Sequence, residues 1–489
     1  MDAVEIDDAR SVKVQRDDGP MYASRVRVYP KAVSGQFRRL KWAALIVLLS
    51  VYYVLPWLRW DRGPDAPDQA VLADMVHGRF YFFWIEIWPQ QVYYLTGLLL
   101  LATLGVFLAS SIAGRAWCGY ACPQTVWTDL FLWVERQIEG DRGARIRRDK
   151  APYRPGNLVR KFAKHAAWLV VAAVTGGVWI AYFVDARVAV PAIVEGRAST
   201  TVYFFFALFT ATTYLLAGWA REQVCTYMCP WPRFQAAMLD EDSFVVTYKA
   251  WRGEPRGRHV KDASWEGRGD CIACNQCVAV CPTGIDIRDG LQLQCIGCGL
   301  CVDACNAVMA KIGRPPELIG YATERNAQAS RAAGGAAPAR TRLFRPRTVL
   351  YVMLMVAIGG AMLWSLAFRA ALDINVLHER NPLFVALSDG SVRNGYTVKI
   401  LNMTHDRRVY TLAVRSPAGA EIRVVGHEGA EGRSAVLAAE PDSVATFRVY
   451  LTLPRAALTG ESLPAIFALT DGARGETALR QTVFRGPAK

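Results

Sequence analysis

The chain has 489 residues, enough for two or three domains, and 52% of them are hydrophobic. Its formal charge is +14, yet the basic residues flank long apolar runs instead of alternating with aromatic residues. This pattern argues against nucleic acid as a partner and favours a membrane protein with positively charged loops.

Five segments are long and apolar enough to cross a hydrocarbon layer of ~30 Å, which takes ~20 helical residues. The predicted spans are residues 38–59, 92–113, 162–184, 199–219 and 347–367. The tail 1–37 is polar and no small-residue cleavage site follows the first span, so we expect an anchor and not a signal peptide. The aromatic stretch 80–90 is too short to cross, and we predict a surface helix or re-entrant segment there.

Lysine and arginine counts orient these spans. The tail before the first span holds six, the loops 60–90 and 185–198 hold two each, and residues 114–161 hold ten. The positive-inside rule therefore predicts a cytoplasmic N-terminus and, after five crossings, a periplasmic C-terminus in a bacterial inner membrane.

The chain contains twelve cysteines, and all of them lie on the predicted cytoplasmic side. Disulfide frameworks belong to oxidising compartments, so this distribution predicts metal or redox chemistry. The hydropathy pattern and the cysteine positions are independent observations, and they agree.

Residues 270–306 carry the pattern C-x2-C-x2-C-x3-C twice. In such a doubled pattern, three thiolates of one loop bind one [4Fe–4S] cluster and the fourth cysteine reaches the other cluster. The predicted ligand sets are Cys271, Cys274 and Cys277 with Cys305, and Cys295, Cys298 and Cys301 with Cys281. Zinc sites usually separate their cysteine pairs by a longer spacer, which argues against zinc. We expect two [4Fe–4S] clusters.

The remaining four cysteines form two C-x3-C-P motifs, each at the cytoplasmic exit of a predicted span. They are Cys118 and Cys122 before Pro123, and Cys225 and Cys229 before Pro230. On a helix, residues i and i+4 share a face, so each pair could bind one soft ion such as Cu(I). Close helix packing and a third metal cluster shared by the pairs are the alternatives.

Several neighbouring residues invite a role. Arg115, Arg221 and Arg233 are expected to lower the thiol pKa values. His165 could ligate copper or touch a quinone, and Met228 could assist Cu(I), but an interfacial hydrogen bond for His165 and packing for Met228 are the favoured explanations. The acidic residues after Cys122 fit a solvated helix face: Asp129, Glu135 and Glu139.

From about residue 373 the composition changes to short alternating strands separated by turn residues. Clear examples are residues 396–404, 408–416, 445–453 and 478–484. About seven such strands predict an immunoglobulin-like sandwich over 373–489, which we interpret as a periplasmic docking module. Residues 326–340 are predicted to be a flexible linker.

Three motifs, WCGYACPQTVWTD, EQVCTYMCPWPRFQ and CPTGIDIRDGLQ, closely resemble the FixG/RdxA/CcoG family of cytochrome c oxidase accessory proteins, from about residue 35 to the end. The resemblance implies reduction of Cu(II) to Cu(I) in the cytoplasm during assembly of cbb3-type cytochrome c oxidase. It also implies that Cys118, Cys122, Cys225 and Cys229 handle copper and that the other eight cysteines hold the clusters. Ala273 and Asn306 depart from the family pattern. We expect these departures to adjust the reduction potentials of the clusters and not to abolish their ligation.

The sequence thus predicts a multidomain membrane protein. Its parts are a cytoplasmic tail (1–37), a four-helix membrane domain (38–219), a dicluster ferredoxin-like domain with linker (220–346), a fifth helix (347–367) and the sandwich (373–489). The predicted activity is cupric reduction, with oxidase assembly factors or a copper transporter as partners. The alternatives are a ferredoxin-type membrane quinol dehydrogenase and a non-catalytic scaffold. No Rossmann or flavin fingerprint is recognisable, so a separate partner or quinol must donate electrons.

Overall fold

The computed structural model describes residues 27–63, 66–151, 155–258, 264–335, 341–368, 372–404, 406–427, 431–441 and 443–487. The chain divides into two compact units, which are described separately. The first comprises Met1–Arg59 with Gln69–Met362, and the second comprises Trp60–Asp68 with Leu363–Lys489.

Among the described residues, five helices are long and apolar enough to cross a membrane, as predicted. They are Gln36–Trp57, Pro89–Ala113, Pro155–Ile180, Thr200–Ala220 and Pro346–Ala367. The third helix begins about seven residues before its predicted span, because its first two turns carry basic residues that hydropathy alone excludes.

The α-helices follow one another as α1 (Gln36–Val54), α2 (Tyr93–Ala113), α3 (Pro123–Glu139), α4 (Arg142–Lys150), α5 (Pro155–Ile180), α6 (Ala186–Val194), α7 (Thr200–Thr213), α8 (Trp231–Met238), α9 (Ala250–Gly253), α10 (Gln276–Ala279), α11 (Leu300–Lys311), α12 (Glu324–Ala332) and α13 (Pro346–Ala367). In the part of the chain that the structure describes, three π-helical turns interrupt this order, at Trp117–Ala121, Tyr214–Ala220 and Val224–Met228. Such turns are rare in proteins, and many of them lie at functional sites.

Helix α3 connects the membrane helices to the cysteine-rich region. Pro123 starts it at a position where the missing N–H costs nothing, and Gly140 ends it with a positive φ of 82°. Its buried face places Phe131 against Trp168 of α5 and Ala217 of the π turn after α7. Trp168 also donates its indole N–H to the Phe131 carbonyl at 3.0 Å.

The prediction of a surface helix or re-entrant segment at 80–90 is wrong. The chain forms an antiparallel three-stranded meander of β1 (Val71–Asp74), β2 (Arg79–Phe82) and β3 (Ile85–Ile87). The period-two alternation of buried Tyr81 with exposed Phe82 decides this, and buried Glu86 of β3 pairs with Arg79 across the sheet at 3.1 Å.

The cysteine-rich part of the first unit is built around α10, α11 and a two-stranded sheet. Its strands β4 (Val245–Tyr248) and β5 (Ile319–Ala322) pair antiparallel and pack against the two helices. The predicted linker 326–340 is wrong over its first half, since α12 covers residues up to Ala332 and the Thr323 side chain caps it by accepting the Asn326 N–H. Residues 336–340 of that prediction lie outside the described residues.

The second unit is a two-layer β-sandwich, which confirms the predicted fold. Its strands are β6 (Leu372–His378), β7 (Val385–Ala386), β8 (Val392–Asn402), β9 (Arg408–Ser416), β10 (Glu421–Val424), β11 (Glu431–Gly432), β12 (Ser434–Ala439), β13 (Ser443–Leu453), β14 (Ser462–Asp471) and β15 (Thr477–Arg485). One sheet has the order β11-β10-β13-β8-β6 with β7 beside β8, and the other has the order β12-β9-β14-β15. The described residues thus form more strands than the seven expected, because β7, β10 and β11, with two to four residues each, are shorter than the strands that the sequence predicted.

Candidate functional site: a thiol-lined centre

The eight cysteines of the doubled motif surround two cavities, grouped as the spacing predicts. One cavity is lined by Cys271, Cys274, Cys277 and Cys305. Apolar side chains of α11 and β5, including Met309 and Ile319, form the rest of its wall. This arrangement fits one [4Fe–4S] cluster held by three thiols of a loop and a fourth from a distant helix.

The second cavity is lined by Cys281, Cys295, Cys298 and Cys301, the second predicted set. Cys277 lies on the wall of both cavities, so the two sites are immediate neighbours. Burial raises the pKa of Cys295 and of Cys305 to about 12, so a cluster that binds here must displace thiol protons.

Both cluster-binding loops have the same backbone course. In each loop the third and fifth residues, counted from the first cysteine, take left-handed conformations. These residues are Ala273 (φ 54°) and Asn275 (φ 56°) in the first loop, and Gly297 (φ 64°) and Gly299 (φ 71°) in the second. A left-handed conformation at two of five residues folds the loop tightly, and its three cysteines line one cavity.

The two C-x3-C-P motifs do not lie on single helices, and the prediction that their cysteines share a helix face is wrong. Cys118 and Cys225 sit in π-helical turns, while Cys122 (ψ 128°) and Cys229 (ψ 121°) are extended. The reason is the following proline, which disfavours helical geometry in the residue before it. Pro123 then starts α3, and Pro230 caps α8.

The first of these turns packs directly on the second cluster-binding loop. A Cβ on Gly119 would lie 2.9 Å from the Ile296 carbonyl oxygen, so only glycine permits this approach. The Tyr120 hydroxyl donates to the Cys298 carbonyl at 2.9 Å. Cys118 also packs against the group of buried apolar residues that includes Cys298.

Arg115 joins the three cysteine-bearing segments. Its guanidinium is buried and donates to the carbonyls of Leu293, Cys295 (3.0 Å) and Pro232 (2.9 Å). Cys118 in turn donates its S–H to the buried Gln235 side-chain oxygen at 3.0 Å. The first turn, the second cluster loop and the segment after the second turn are thus one packed assembly.

The expectation that arginines lower the thiol pKa values is wrong. Burial raises the pKa of Cys118 to about 12; Cys122 and Cys225 raise it further, and the opposing effect of Arg115 is smaller. Burial likewise raises the pKa of Cys225 to about 12, with contributions from Cys122 and Cys229. Arg221 instead pairs with Glu135, and Arg233 is exposed. These mutual effects also show that the four thiols lie within electrostatic range of one another.

Among the residues that the structure describes, no three Cys, His, Asp or Glu side chains converge around a single-ion position. In a [4Fe–4S] cluster each thiolate binds a different iron, so the eight-cysteine cavities do not need such convergence. At the C-x3-C-P turns the four thiols fit either separate soft ions held by pairs or a multinuclear group. All twelve cysteines are free thiols.

The prediction that the acidic residues of α3 form a solvated helix face is wrong. Asp129, Glu135 and Glu139 are 4%, 0% and 4% exposed. Asp129 accepts two hydrogen bonds from Arg38 of α1, at 2.9 and 2.8 Å. Burial opposes ionisation of Asp129, but Lys41 and Arg38 outweigh it and hold its pKa below the ordinary value.

Glu135 is the centre of a second buried ion-pair network, which is larger than that of Asp129. Its carboxylate pairs with Arg145 at 2.7 Å and with Arg221 at 2.8 Å, while Lys164 lies 3.7 Å away. Burial opposes its ionisation, and these three cations still lower its pKa. Arg221 has a positive φ of 47° four residues before Cys225, so the network fixes the start of the second turn.

A further residue that sequence reasoning missed is Asp303, inside the second cysteine quartet. Its carboxylate accepts the backbone N–H groups of Phe37 at 3.2 Å and Arg38 at 2.7 Å. It therefore caps the N-terminus of α1 and attaches the first membrane helix to the cluster-binding helix α11. Arg38 and Lys41 inside the predicted first span were a signal, since cations there need carboxylate partners.

His165 and Met228, the two residues near the cysteines that could assist copper, have few polar contacts that would indicate such a role. His165 shares a 2.8 Å hydrogen bond with the Tyr214 hydroxyl and packs edge-on against Trp168. Met228 is 62% exposed between Cys225 and Cys229. Asn306, which departs from the family pattern, accepts the Glu317 N–H at 2.7 Å and so supports the chain after α11.

Comparisons with known families agree with this geometry. Residues 95–140, which include Cys118 and Cys122, match a family described as a 4Fe-4S binding domain. Residues 220–324 match a 4Fe-4S dicluster domain, and residues 362–487 match the IG-like fold at the C-terminus of FixG. Together with five membrane-spanning helices, these matches define a membrane-bound iron–sulfur protein.

Full-length relatives specify the family. The chain is 50% identical to the nitrogen fixation protein FixG of Rhizobium meliloti (strain 1021) over 92% of this chain and 90% of the relative. It is 48% identical to protein RdxA of Cereibacter sphaeroides, over 92% and 93%, and 46% identical to RdxB of that organism, over 95% and 97%. The chain belongs to the FixG/RdxA family of membrane-associated iron–sulfur oxidoreductases.

Proposed function

We propose that the protein is a cupric reductase, which delivers electrons from two [4Fe–4S] clusters to Cu(II) at Cys118, Cys122, Cys225 and Cys229. The Cu(I) formed would serve assembly of cbb3-type cytochrome c oxidase, with assembly factors or a copper transporter as recipients. Thiolates prefer Cu(I) over harder ions, so the four-thiol centre favours the reduced product.

One observation carries the proposal: the first C-x3-C-P turn lies against the second cluster-binding loop. Cys118 packs against the apolar residues that surround Cys298 and Cys301, and Tyr120 hydrogen-bonds to the Cys298 carbonyl. These packed side chains and this hydrogen bond would connect a cluster held by the second cysteine set to Cys118.

A mainly apolar cavity with several charged residues on its wall lies beside Cys225 and supports access for the metal. Its wall includes Cys225, Glu222 and Asp129 together with residues from the back of the cluster loops, such as Thr283 and Ile296. Bound clusters supply single electrons. Each Cu(II) takes up one electron and becomes Cu(I), and a separate donor protein or a quinol must restore that electron to the iron–sulfur segment.

The proposal includes an orientation. We place the N-terminus and all cysteines in the cytoplasm and the β-sandwich in the periplasm of a bacterial inner membrane. The ten basic residues between 114 and 161 support this assignment through the positive-inside rule. In this orientation the sandwich, which contains no cysteine, is a docking module for periplasmic partners.

The test is an anaerobic titration of the reduced full-length protein with Cu(II). Wild type is expected to recover the iron–sulfur absorbance that reduction had bleached, while Cu(I), detected with a chromogenic chelator, appears in equal electron equivalents. The variants Cys118→Ser and Cys225→Ser should lose most of this Cu(I) production while their cluster EPR signals persist. Met228→Leu, a change on the same turn that removes no thiol, is the control. Undiminished Cu(I) production in both serine variants contradicts the proposal.

A second candidate for the four thiols has its own support. Residues 95–140 match a 4Fe-4S binding family and contain Cys118 and Cys122, so the two turns could hold a third iron–sulfur cluster instead of copper. Iron analysis separates the candidates: two clusters require about eight irons per chain and three require about twelve. In the three-cluster case, Cys118→Ser would remove about four irons, whereas copper handling predicts no change.

A further inference from the structure

A cavity of about 300 Å³ lies where the ends of α5 and of the π turn after α7 meet. Its wall carries four cationic side chains, Arg27, Lys161, Lys164 and Arg221, and two indole rings, Trp168 and Trp219. The functional site does not use this cavity, although Arg221 also borders the cavity that contains Cys225.

The cations divide into an inner and an outer pair. Lys164 and Arg221 are buried, and each is held by a carboxylate behind the wall: Lys164 by Glu139 at 3.0 Å and Arg221 by Glu135 at 2.8 Å. Arg27 and Lys161 keep 40% of their side chains exposed, and both contact Asp149, at 2.8 and 3.2 Å. The outer pair shares Asp149, and Arg27 also lies 3.6 Å from Glu135. Both side chains retain donor capacity toward the cavity.

The charge of the whole neighbourhood is positive. Behind the wall lie Glu135, Glu139, Asp149 and the cation Arg145, and Glu222 and His165 line the cavity itself. The five basic residues exceed the four carboxylates by one, and the excess lies on the side of the outer pair.

The position of the cavity along the membrane helices defines its ligand. Lys161 is six residues after Pro155, the start of the membrane-spanning helix, which corresponds to about 9 Å along the helix axis. The π turn that carries Trp219 ends the next span. Indole rings with a basic rim at this depth are typical of the headgroup layer, where anionic lipids meet basic pockets between helices.

We propose that this cavity binds the phosphate group of an anionic phospholipid, such as phosphatidylglycerol, from the leaflet on the cysteine side. Arg27 and Lys161 would bind the phosphate oxygens, and Trp168 and Trp219 would contact the glycerol and the first acyl carbons. Free inorganic phosphate could also bind Arg27 and Lys161, but it has no glycerol or acyl carbons to contact Trp168 and Trp219. A lipid in this place would support Arg221, and through it the start of the second C-x3-C-P turn.

The experiment measures lipid binding to the full-length protein in detergent micelles by native mass spectrometry, with phosphatidylglycerol and phosphatidylcholine as probes. Wild type is expected to prefer phosphatidylglycerol by at least about 5-fold, and Lys161→Gln should weaken phosphatidylglycerol binding by about 5-fold, the effect of one basic residue near the headgroups. Lys161→Arg should restore it. Arg160→Gln removes a charge from the neighbouring exposed residue outside the cavity, and binding should remain at the wild-type level.

Equal binding of the two lipids overturns the proposal, as does an equal loss in Lys161→Gln and Arg160→Gln, because either result reduces the effect to general surface attraction. A parallel arm follows thermal unfolding in detergent micelles with either inorganic phosphate or phosphatidylglycerol added. If inorganic phosphate stabilises wild type, but not Lys161→Gln, as strongly as phosphatidylglycerol does, the ligand is free phosphate and the lipid assignment is overturned.

Discussion

The two cluster-binding loops and the two C-x3-C-P turns both present cysteines, but their shapes have different origins. Each cluster loop acquires its shape within seven residues, through left-handed conformations at fixed positions and a short helix that follows. The turns acquire theirs from distant partners: Arg115 reaches three carbonyls more than a hundred residues away, and Arg221 depends on Glu135 of α3.

This difference shows which part of a metal site depends on local sequence and which on the tertiary structure. A loop defined by its own backbone should lose its function only when its own residues change. A turn defined by buried charges should respond to substitutions far away in the sequence. Three substitutions test this contrast.

The largest effect is expected for Glu135→Gln. It leaves Arg145, Arg221 and Lys164 buried around a neutral side chain, and breaking a buried ion pair of this kind typically costs about 3–5 kcal/mol. Thermal unfolding of the full-length protein in nanodiscs measures the loss. Glu195→Gln, which breaks an exposed pair with Arg197, should cost less than about 1 kcal/mol. Similar shifts for both variants would contradict the importance assigned to the network.

The Glu135 network also predicts a direction with pH. Since the pKa of Glu135 is lower in the folded protein than its ordinary value of about 4.3, its stabilisation is fully present above that value. It is lost as the pH falls through the lower, folded-state pKa. Acid should therefore destabilise wild type more steeply than Glu135→Gln.

An intermediate effect is expected for Gly299→Ala in the second cluster loop. A Cβ at this position would lie 2.8 Å from Cγ of Phe37, and the residue has a φ of +71°. Strain and overlap together should cost about 2–4 kcal/mol and selectively reduce the iron content of the second site. Gly290→Ala has a φ of +96° with nothing within 4 Å of the added Cβ, so it should show the backbone cost alone, about 1–2 kcal/mol. Equal effects would mean that contact with α1 does not matter.

The sequence predicted best where a pattern is local. Hydropathy located the five spans, alternation located β9 and β13, and cysteine spacing grouped the eight thiols in the two sets that the structure places around two cavities. Each of these patterns depends on a period or a spacing that the backbone itself imposes.

The sequence predicted worst where the outcome depends on distant partners. Asp129 and Glu135 have the spacing of an exposed helix face, and only the approach of α1 and of the turn after α7 buries them. The predicted direction of the thiol pKa shifts was wrong for the same reason. Burial raises the pKa of Cys118 more than Arg115 lowers it, and no sequence pattern shows that burial. At Cys122 and Cys229 a local rule was available: the proline that follows already excluded a continuous helix.

The smallest effect, and the one with opposite sign, is expected for Ala273→Gly in the first cluster loop. Ala273 has a φ of 54° at the position that Gly297 occupies in the second loop. This conformation destabilises an L-residue by about 1–2 kcal/mol. Glycine avoids that strain, but its greater freedom in the unfolded chain lowers the free energy of unfolding by about 0.4–1 kcal/mol. The balance predicts stabilisation by about 0.5–1 kcal/mol, visible as slower loss of iron–sulfur absorbance during chemical denaturation. Ala329→Gly, on an exposed helical position of α12, should instead destabilise by about 0.5–1 kcal/mol. If Ala273→Gly destabilises as well, the side chain at 273 stabilises the first loop through contacts, and the two loops are less alike than their backbones indicate.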